Sequence, residues 1–253
     1  MTTIIQARPS LSSNDAAVLQ ALFDAEPQST GIIIDPSLPP WPEKVNISSS
    51  VLASLKKSET EIILKLHNEP PSLETFNSTI REFDSIIDQY PTYPSAYTNR
   101  AQVLRMLIDF QYNQSETGVS EASEALFVPK AIDLSTQILS DLGQAINIAT
   151  STSPEDSVSA AQARLLADAH THRGYLLLKA AREKKNEPGN LTFCTEHLRN
   201  FGADQLEEMA SQDFFFGGKY GNKVAQQLAV QTNPYAKMCG AIVKEAMKKE
   251  TEG

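Results

Sequence analysis

Apolar residues recur every three or four positions along most of the chain from about residue 50 onward. This spacing places the apolar side chains on one face of an α-helix, where they can pack against a neighbouring helix. No stretch shows the convincing two-residue alternation that marks a half-buried β-strand. The clearest runs are Phe76, Ile80, Phe83 and Ile87; Tyr97, Ala101, Leu104 and Ile108; and Ile138, Leu142, Ala145 and Ala149. The sequence therefore predicts an all-α fold of antiparallel helices joined by turns.

The overall charge limits the partners that the chain can have. Its 253 residues include 31 acidic and 22 basic side chains, for a formal net charge of −9. No segment dense in Lys and Arg offsets this charge, so a polyphosphate backbone or an anionic membrane surface would be repelled. A hydrophobic content of 41% suffices for a buried core. We expect a globular protein that binds neither nucleic acid nor membrane.

Cysteine usage and the apolar stretches indicate the compartment. Cys194 and Cys239 lie far apart in the sequence and form no CxxC pair, which argues against a disulfide framework and against a zinc site. The opening residues "MTTIIQARPSLSSND" lack the apolar run of a signal peptide, and the longest apolar stretches are too short for a membrane span. We expect a reducing compartment, the cytoplasm or the nucleus.

Proline-rich and polar stretches divide the chain into three parts. Residues 1–49 are predicted to hold an amphipathic helix and a proline-rich strap, since proline removes backbone donors and excludes a regular helix. Residues 50–232 are predicted to form three helical-hairpin repeats, with insertions near 111–130 and 183–193. Residues 233–253 are predicted to form a C-terminal capping helix, since the open end of a repeat array needs a cover.

A short motif occurs twice in the repeat region. "AYTNRA" spans residues 96–101 and "AHTHRG" spans residues 169–174, and the two copies share Ala, Thr and Arg. A small residue, Ala101 or Gly174, stands where a neighbouring helix must pass close by. This pattern is typical of tetratricopeptide repeats, which have a period of about 34 residues. The predicted fold class is therefore a tetratricopeptide-repeat helical solenoid of about three repeats with flanking capping helices.

Five segments carry a more specific resemblance. They are "NDAAVLQALF" near the start, "YPSAYTNRAQ" in the middle, "DLGQAINIA" at 141–149, "HRGYLLL" at 172–178 and "NPYAKMC" at 233–239. On these segments, their order and their rough spacing, the chain resembles the tetratricopeptide repeat protein 36 family. The long insertions indicate a diverged member of that family.

The resemblance implies a function. Members of the family are associated with Hsp70-class chaperones, so it implies a protein or peptide partner, either such a chaperone or a client. The function expected on this basis is a non-enzymatic protein–protein interaction adaptor of the co-chaperone type, without a cofactor.

Related repeat domains hold the C-terminal carboxylate of a chaperone in a clamp of Lys, Asn and Arg side chains. The resemblance places Leu64, Asn68, Asn99, Arg173 and Leu177 at the clamp positions. Two of the cations are thus replaced by leucine, and each charge-assisted hydrogen bond that is lost is worth about 1.5–3 kcal/mol. We therefore expect no tight clamp of this kind, and a chaperone would have to bind through another surface.

Polar residues on the first helices of the repeats are the candidates for contact with a protein partner. The other interpretation of Asn68, Asn99 and Arg173 is that they satisfy turns and neighbouring helices. The predicted protein-binding groove consists of Asn68, Ser95, Asn99, Gln102, Arg105, His172, Arg173 and Tyr175.

The sequence predicts no catalytic, cofactor or metal site. His170 and His172 form an H-x-H pair, but two residues apart on a helix they point about 200° away from each other. The stretch "GGKYGNK" at 217–223 lacks the residue order of a phosphate loop and is predicted to be a turn between two helices.

Two further hypotheses stay open. A small-molecule-binding or enzymatic helical bundle would show a closed pocket with a perturbed ionisable cluster, whereas an adaptor would show an open face. Alternatively, the insertions, especially 111–130, are the recognition segments and the repeats are only their frame.

Overall fold

The computed structural model describes residues 32–68, 72–114, 131–151, 153, 156–186 and 196–233. Within these residues the regular structure is helical, apart from one isolated parallel bridge between Ile34 and Val158. The predicted all-α class is confirmed. The N-terminal helix, most of the insertion at 111–130, and nearly all of the predicted capping helix at 233–253 lie outside the described residues.

The helices follow one another with short connections. After a 3-10 turn at Glu43–Val45, they are α1 (Ser49–Asn68), α2 (Leu73–Gln89), α3 (Pro94–Gln114), α4 (Ile132–Ala149), α5 (Ala160–Asn186), α6 (Glu196–Arg199), α7 (Ala203–Lys219) and α8 (Lys223–Thr232). Several helix starts carry the expected caps. The Ser72 hydroxyl accepts a hydrogen bond from the Thr75 amide, and the Asn222 side chain accepts one from the Ala225 amide.

The long helix α5 lies at the centre of the described structure, packed against α3, α4 and α7. Its contact with α7 is close because of Gly174. A Cβ atom at this position would lie 3.1 Å from atoms of both Asp213 and Phe214. The small residue of the second motif copy therefore does what the sequence predicts, since it lets the next helix approach.

The proline-rich segment before α1 lies against α4 and the start of α5. The Ser159 hydroxyl donates to the Pro40 carbonyl over 2.8 Å, and the Lys44 ammonium donates to the Asn147 carbonyl over 2.8 Å. Trp41 is buried and meets the ring of Tyr93 edge-on, with 6.2 Å between centroids. This segment thus joins the first hairpin to the middle of the chain.

The connection between α7 and α8 is a tight turn. Gly221 has φ +104°, a conformation that glycine adopts without strain. The stretch "GGKYGNK" forms the last residues of α7 and this turn, which confirms the turn prediction. The turn brings α8 back along α5 and α7, where it completes one of the pockets described below.

Candidate functional site

Each copy of the repeated motif contains an arginine that holds a buried aspartate. Arg100 on α3 donates from Nε and Nη2 to Asp141 on α4, over 2.8 and 2.6 Å. Arg173 on α5 donates in the same way to Asp213 on α7, over 2.7 Å for both bonds. Both aspartates are fully buried. The two motif copies therefore have the same structural role, and Arg173 is committed to it.

Asn99 is committed to a second polar cluster. The carboxylate of Glu59 is buried and accepts hydrogen bonds from Tyr93 over 2.7 Å, Ser95 over 3.0 Å and Asn99 over 2.9 Å. Burial raises the pKa of Glu59 despite these donors, and it raises the pKa of Tyr93 as well. This cluster joins α1 to the start of α3.

The predicted groove residues do not form one surface. Asn68 is the exposed last residue of α1, and Ser95 and Asn99 bind Glu59. Arg173 points to a pocket on the other side of α5. The structure brings together the remaining four residues, Gln102, Arg105, His172 and Tyr175, in a pocket between α3, α5 and α8.

This pocket, called here the α3–α5–α8 pocket, has a volume of about 430 Å³. That volume falls within the usual range of small-molecule sites, about 300–1,000 Å³. Residues three or four positions apart on each long helix share the face that lines it. Its lining consists of Gln102, Arg105 and Asp109 from α3, Asp168, Thr171, His172 and Tyr175 from α5, and Asn222, Val224 and Leu228 from the α8 end.

Three polar atoms in this pocket are buried without a hydrogen-bond partner among the described residues. They are Nε of Arg105, Oδ1 of Asp109 and Nε2 of His172. Arg105 and Asp109 form an ion pair, but Nε lies 3.7 Å from Oδ2, beyond hydrogen-bond distance. Buried polar atoms in folded proteins nearly always have a partner, so three orphans in one pocket need an explanation.

The charges of the pocket are set by its surroundings. Burial, and next the charge of Arg105, lower the pKa of His172 to about 4, so its ring is neutral at pH 7. Partial burial raises the pKa values of Asp109 and Asp168. Cations lie on both sides of the Tyr175 ring, with Arg105 at 5.4 Å and Lys179 at 4.9 Å from its centroid.

A second pocket, called here the α4–α5–α7 pocket, lies on the opposite side of α5 and has a volume of about 660 Å³. Its polar wall is the network of His170, Arg173 and Asp213. Nδ1 of His170 lies 2.7 Å from Oδ1 of Asp213, and an ionised carboxylate only accepts, so Nδ1 carries the proton. Burial acts to raise the pKa of Asp213, but the hydrogen bonds from His170 and Arg173 outweigh it and leave that pKa below its ordinary value.

The two histidines of the H-x-H pair line different pockets. His170 faces the α4–α5–α7 pocket and His172 faces the α3–α5–α8 pocket, as expected for residues two apart on a helix. Across the described part of the chain, no group of three His, Cys, Asp or Glu residues is arranged to hold a metal ion. In that same part, no helix combines the length and the apolar character needed to cross a bilayer.

The fold and the two pockets define an all-helical protein with cavities of small-molecule size between its helices. The chain is 59% identical over 254 residues to the L-tyrosine degradation gene cluster protein hmgX of Aspergillus fumigatus, and the match covers 100% of this chain and 98% of the relative. It belongs to the family of that protein. No protein-family model matches the chain, and no solved structure matches it.

This relationship corrects the identification made from sequence segments. The relative is named for an L-tyrosine degradation gene cluster, so the assignment to the tetratricopeptide repeat protein 36 family is wrong. The predicted co-chaperone adaptor function is wrong for the same reason. The geometry agrees, since Asn99 is held by Glu59 and Arg173 by Asp213 rather than left free for a chaperone tail. The alternative prediction, a small-molecule-binding or enzymatic helical protein, fits the name of the relative better.

Two carboxylates of the α3–α5–α8 pocket escaped sequence reasoning, although a signal for each was present. Asp109 follows Arg105 by four positions, and Asp168 precedes His172 by four, so each shares a helical face with a residue that was already a candidate. Asp141 and Asp213 offered no such signal, because their arginine partners lie on other helices.

Proposed function

We propose that this chain acts in L-tyrosine degradation as a non-enzymatic protein that binds a small polar molecule in the α3–α5–α8 pocket. The observation that carries the proposal is the convergence of three buried, unpartnered polar atoms, from Arg105, Asp109 and His172, on that one pocket. A ligand that supplied their missing partners would remove the desolvation penalty of each, about 1–3 kcal/mol per group. The printed name of the relative supports the metabolic setting.

Binding is favoured over catalysis by the state of His172. A general base works best when its pKa lies near the operating pH. The pKa of His172 is lowered to about 4, which makes the neutral ring a weak base at pH 7 but a good hydrogen-bond partner. Opposite charges at fixed spacing, as on Arg105 and Asp109, suit recognition of a polar ligand.

The finer architecture is part of the same proposal. We propose that hairpins α1–α2, α3–α4 and α5–α7 are about three repeats of a helical solenoid, with α3 and α5 as equivalent helices. The equivalent pairs Arg100–Asp141 and Arg173–Asp213 support this arrangement. We place the protein in the cytoplasm or nucleus, as its cysteine usage favours.

A growth experiment in the source organism tests the proposed function. The gene is deleted and replaced by wild type, by the double variant Arg105→Ala/Asp109→Ala, or by the control Arg81→Ala, which removes an exposed arginine paired only with Glu74 across 3.2 Å. We expect the deletion and the double variant to lose growth on L-tyrosine as sole carbon source and to keep growth on glucose. Wild-type growth of the double variant on L-tyrosine would contradict the proposal.

A further inference from the structure

The unpartnered atoms of the α3–α5–α8 pocket specify what a ligand must offer. The Nε–H of Arg105 is a donor and needs an acceptor, while Oδ1 of Asp109 is an acceptor and needs a donor. The two residues are four apart on α3, so both groups point into the pocket from one helical face. A single ligand therefore has to carry an anionic or carbonyl oxygen and an N–H or O–H donor only a few ångströms apart.

The charges of the pocket narrow the choice. Arg105 is the cation of the lining, Asp109 and Asp168 are its carboxylates, and His172 is neutral at pH 7. A simple carboxylic acid would add a third negative charge and would leave Oδ1 of Asp109 without a donor. A simple amine would leave Nε of Arg105 without an acceptor. A zwitterion satisfies both groups and needs no change in protonation.

The remaining wall of the pocket is suited to an aromatic side chain. Val224 and Leu228 line the pocket from α8, and 59% of the Val224 side chain is exposed, so apolar surface is available at the rim. Covering such surface contributes about 25 cal/mol per Å². The third orphan, Nε2 of His172, gives a partner for one more polar group, such as a phenolic hydroxyl.

We infer that the α3–α5–α8 pocket binds a free aromatic α-amino acid of the L-tyrosine class as a zwitterion, with its carboxylate on Arg105 and its ammonium on Asp109 and Asp168. This inference rests on the proposed function and makes it more specific. It states that the pocket recognises the amino acid itself, rather than an acid from which the amino group has been removed.

Isothermal titration calorimetry of the purified full chain tests the inference with three probes. They are L-tyrosine, tyramine, which lacks the carboxylate, and 3-(4-hydroxyphenyl)propanoate, which lacks the amino group. Each charge-assisted hydrogen bond is worth about 1.5–3 kcal/mol, so we expect L-tyrosine to bind at least about tenfold tighter than either analogue. Equal or tighter binding of an analogue, or no binding of L-tyrosine, would overturn the inference.

The variant Asp109→Asn separates recognition from structure. It keeps the size of the side chain and removes the charge that faces the ammonium group, so the affinities for L-tyrosine and tyramine should fall while that for the propanoate does not. The control Asp88→Asn, an exposed residue on α2, should leave all three affinities unchanged. Equal weakening of all three probes by Asp109→Asn, or a loss of helical circular dichroism, would assign Asp109 a structural role and overturn the inference.

The outcomes for the inference and for the proposed function can be told apart. Binding of an analogue but not of L-tyrosine, lost in Arg105→Ala, overturns the inference and supports a small-molecule function. If no probe binds while growth on L-tyrosine still depends on Arg105 and Asp109, the inference alone fails. If no probe binds and the growth of the double variant is normal, both fail.

Discussion

Arg173 holds the buried carboxylate of Asp213 with two parallel hydrogen bonds of 2.7 Å, which tie α5 to α7 across the wall of the α4–α5–α7 pocket. Bidentate arginine–carboxylate pairs are among the stronger hydrogen-bonded contacts in proteins. The same geometry joins Arg100 to Asp141. The conserved arginine position of the two motif copies is therefore an internal structural feature, and the ligand site lies elsewhere.

Removal of the Asp213 carboxylate should destabilise the fold strongly. Asp213→Ala leaves Arg173 and His170 without their shared partner, and the breaking of a buried ion pair costs about 3–5 kcal/mol. The measurement is urea unfolding followed by circular dichroism. Asp88→Ala, which removes an exposed carboxylate, is the matched control and should change the unfolding free energy little. A loss for Asp213→Ala no larger than that of the control would show that the pair does not join α5 to α7.

The contribution of Asp213 should depend on pH with a definite sign. Its folded-state pKa lies below the ordinary value, so its stabilisation is complete above the unfolded pKa of about 3.9 and is lost as the pH falls through the folded pKa. The difference in unfolding free energy between wild type and Asp213→Asn should therefore be constant near neutral pH and shrink below pH of about 4. A difference that stayed constant down to pH of about 2 would disagree with a depressed pKa.

His172 should remain neutral well below the pH at which an exposed histidine is protonated. Burial and Arg105 lower its pKa to about 4, while Asp109 and Asp168, on the same pocket wall, do not reverse the shift. The unfolded state binds the proton first, so stability should fall as the pH drops from about 6.5 towards about 4. NMR titration of the ring protons measures the pKa directly, with exposed His67 as the internal reference. A midpoint near 6.5 for His172 would contradict the burial of its ring.

Gly174 should tolerate no side chain. In Gly174→Ala the new methyl group would meet Asp213 and Phe214 at 3.1 Å, and overpacking of this kind typically costs about 1–3 kcal/mol. Gly143→Ala is the matched control, because its Cβ would meet only Nη1 of Arg173, at 4.0 Å, and alanine stabilises a helix relative to glycine by about 1 kcal/mol. Thermal unfolding of both variants gives the comparison. Equal melting temperatures would mean that α5 and α7 are less closely packed than the structure shows.

The helical class of the fold could be predicted from the sequence, because the three-to-four-residue period of runs such as Phe76 to Ile87 survives in the folded helices. The site could be predicted only in part. Arg173 was placed in a groove with His172 and Tyr175, yet one residue along a helix rotates the side chain by about 100°, so it faces the other pocket. Its partner Asp213 lies 40 positions away along the chain, and only tertiary packing brings the two together.

The name of the relative corrected what motif similarity suggested. The repeated motif reports how two helices pack, as the pairs of Arg100 and Arg173 show, and similar packing serves proteins of many functions. The pocket residues carry the functional information, and they come from three helices separated in sequence.

The Nε–H of Arg105 offers the most direct test of the central claim, that a ligand of the L-tyrosine class supplies the missing partners of this pocket. Its side-chain signal can be followed by ¹⁵N NMR while L-tyrosine is added to the full chain, with exposed Arg81 as the internal control. The account predicts a saturable downfield shift and slower solvent exchange for Arg105 Nε–H, with no change at Arg81. An Arg105 signal that stays unmoved at saturating L-tyrosine would contradict it.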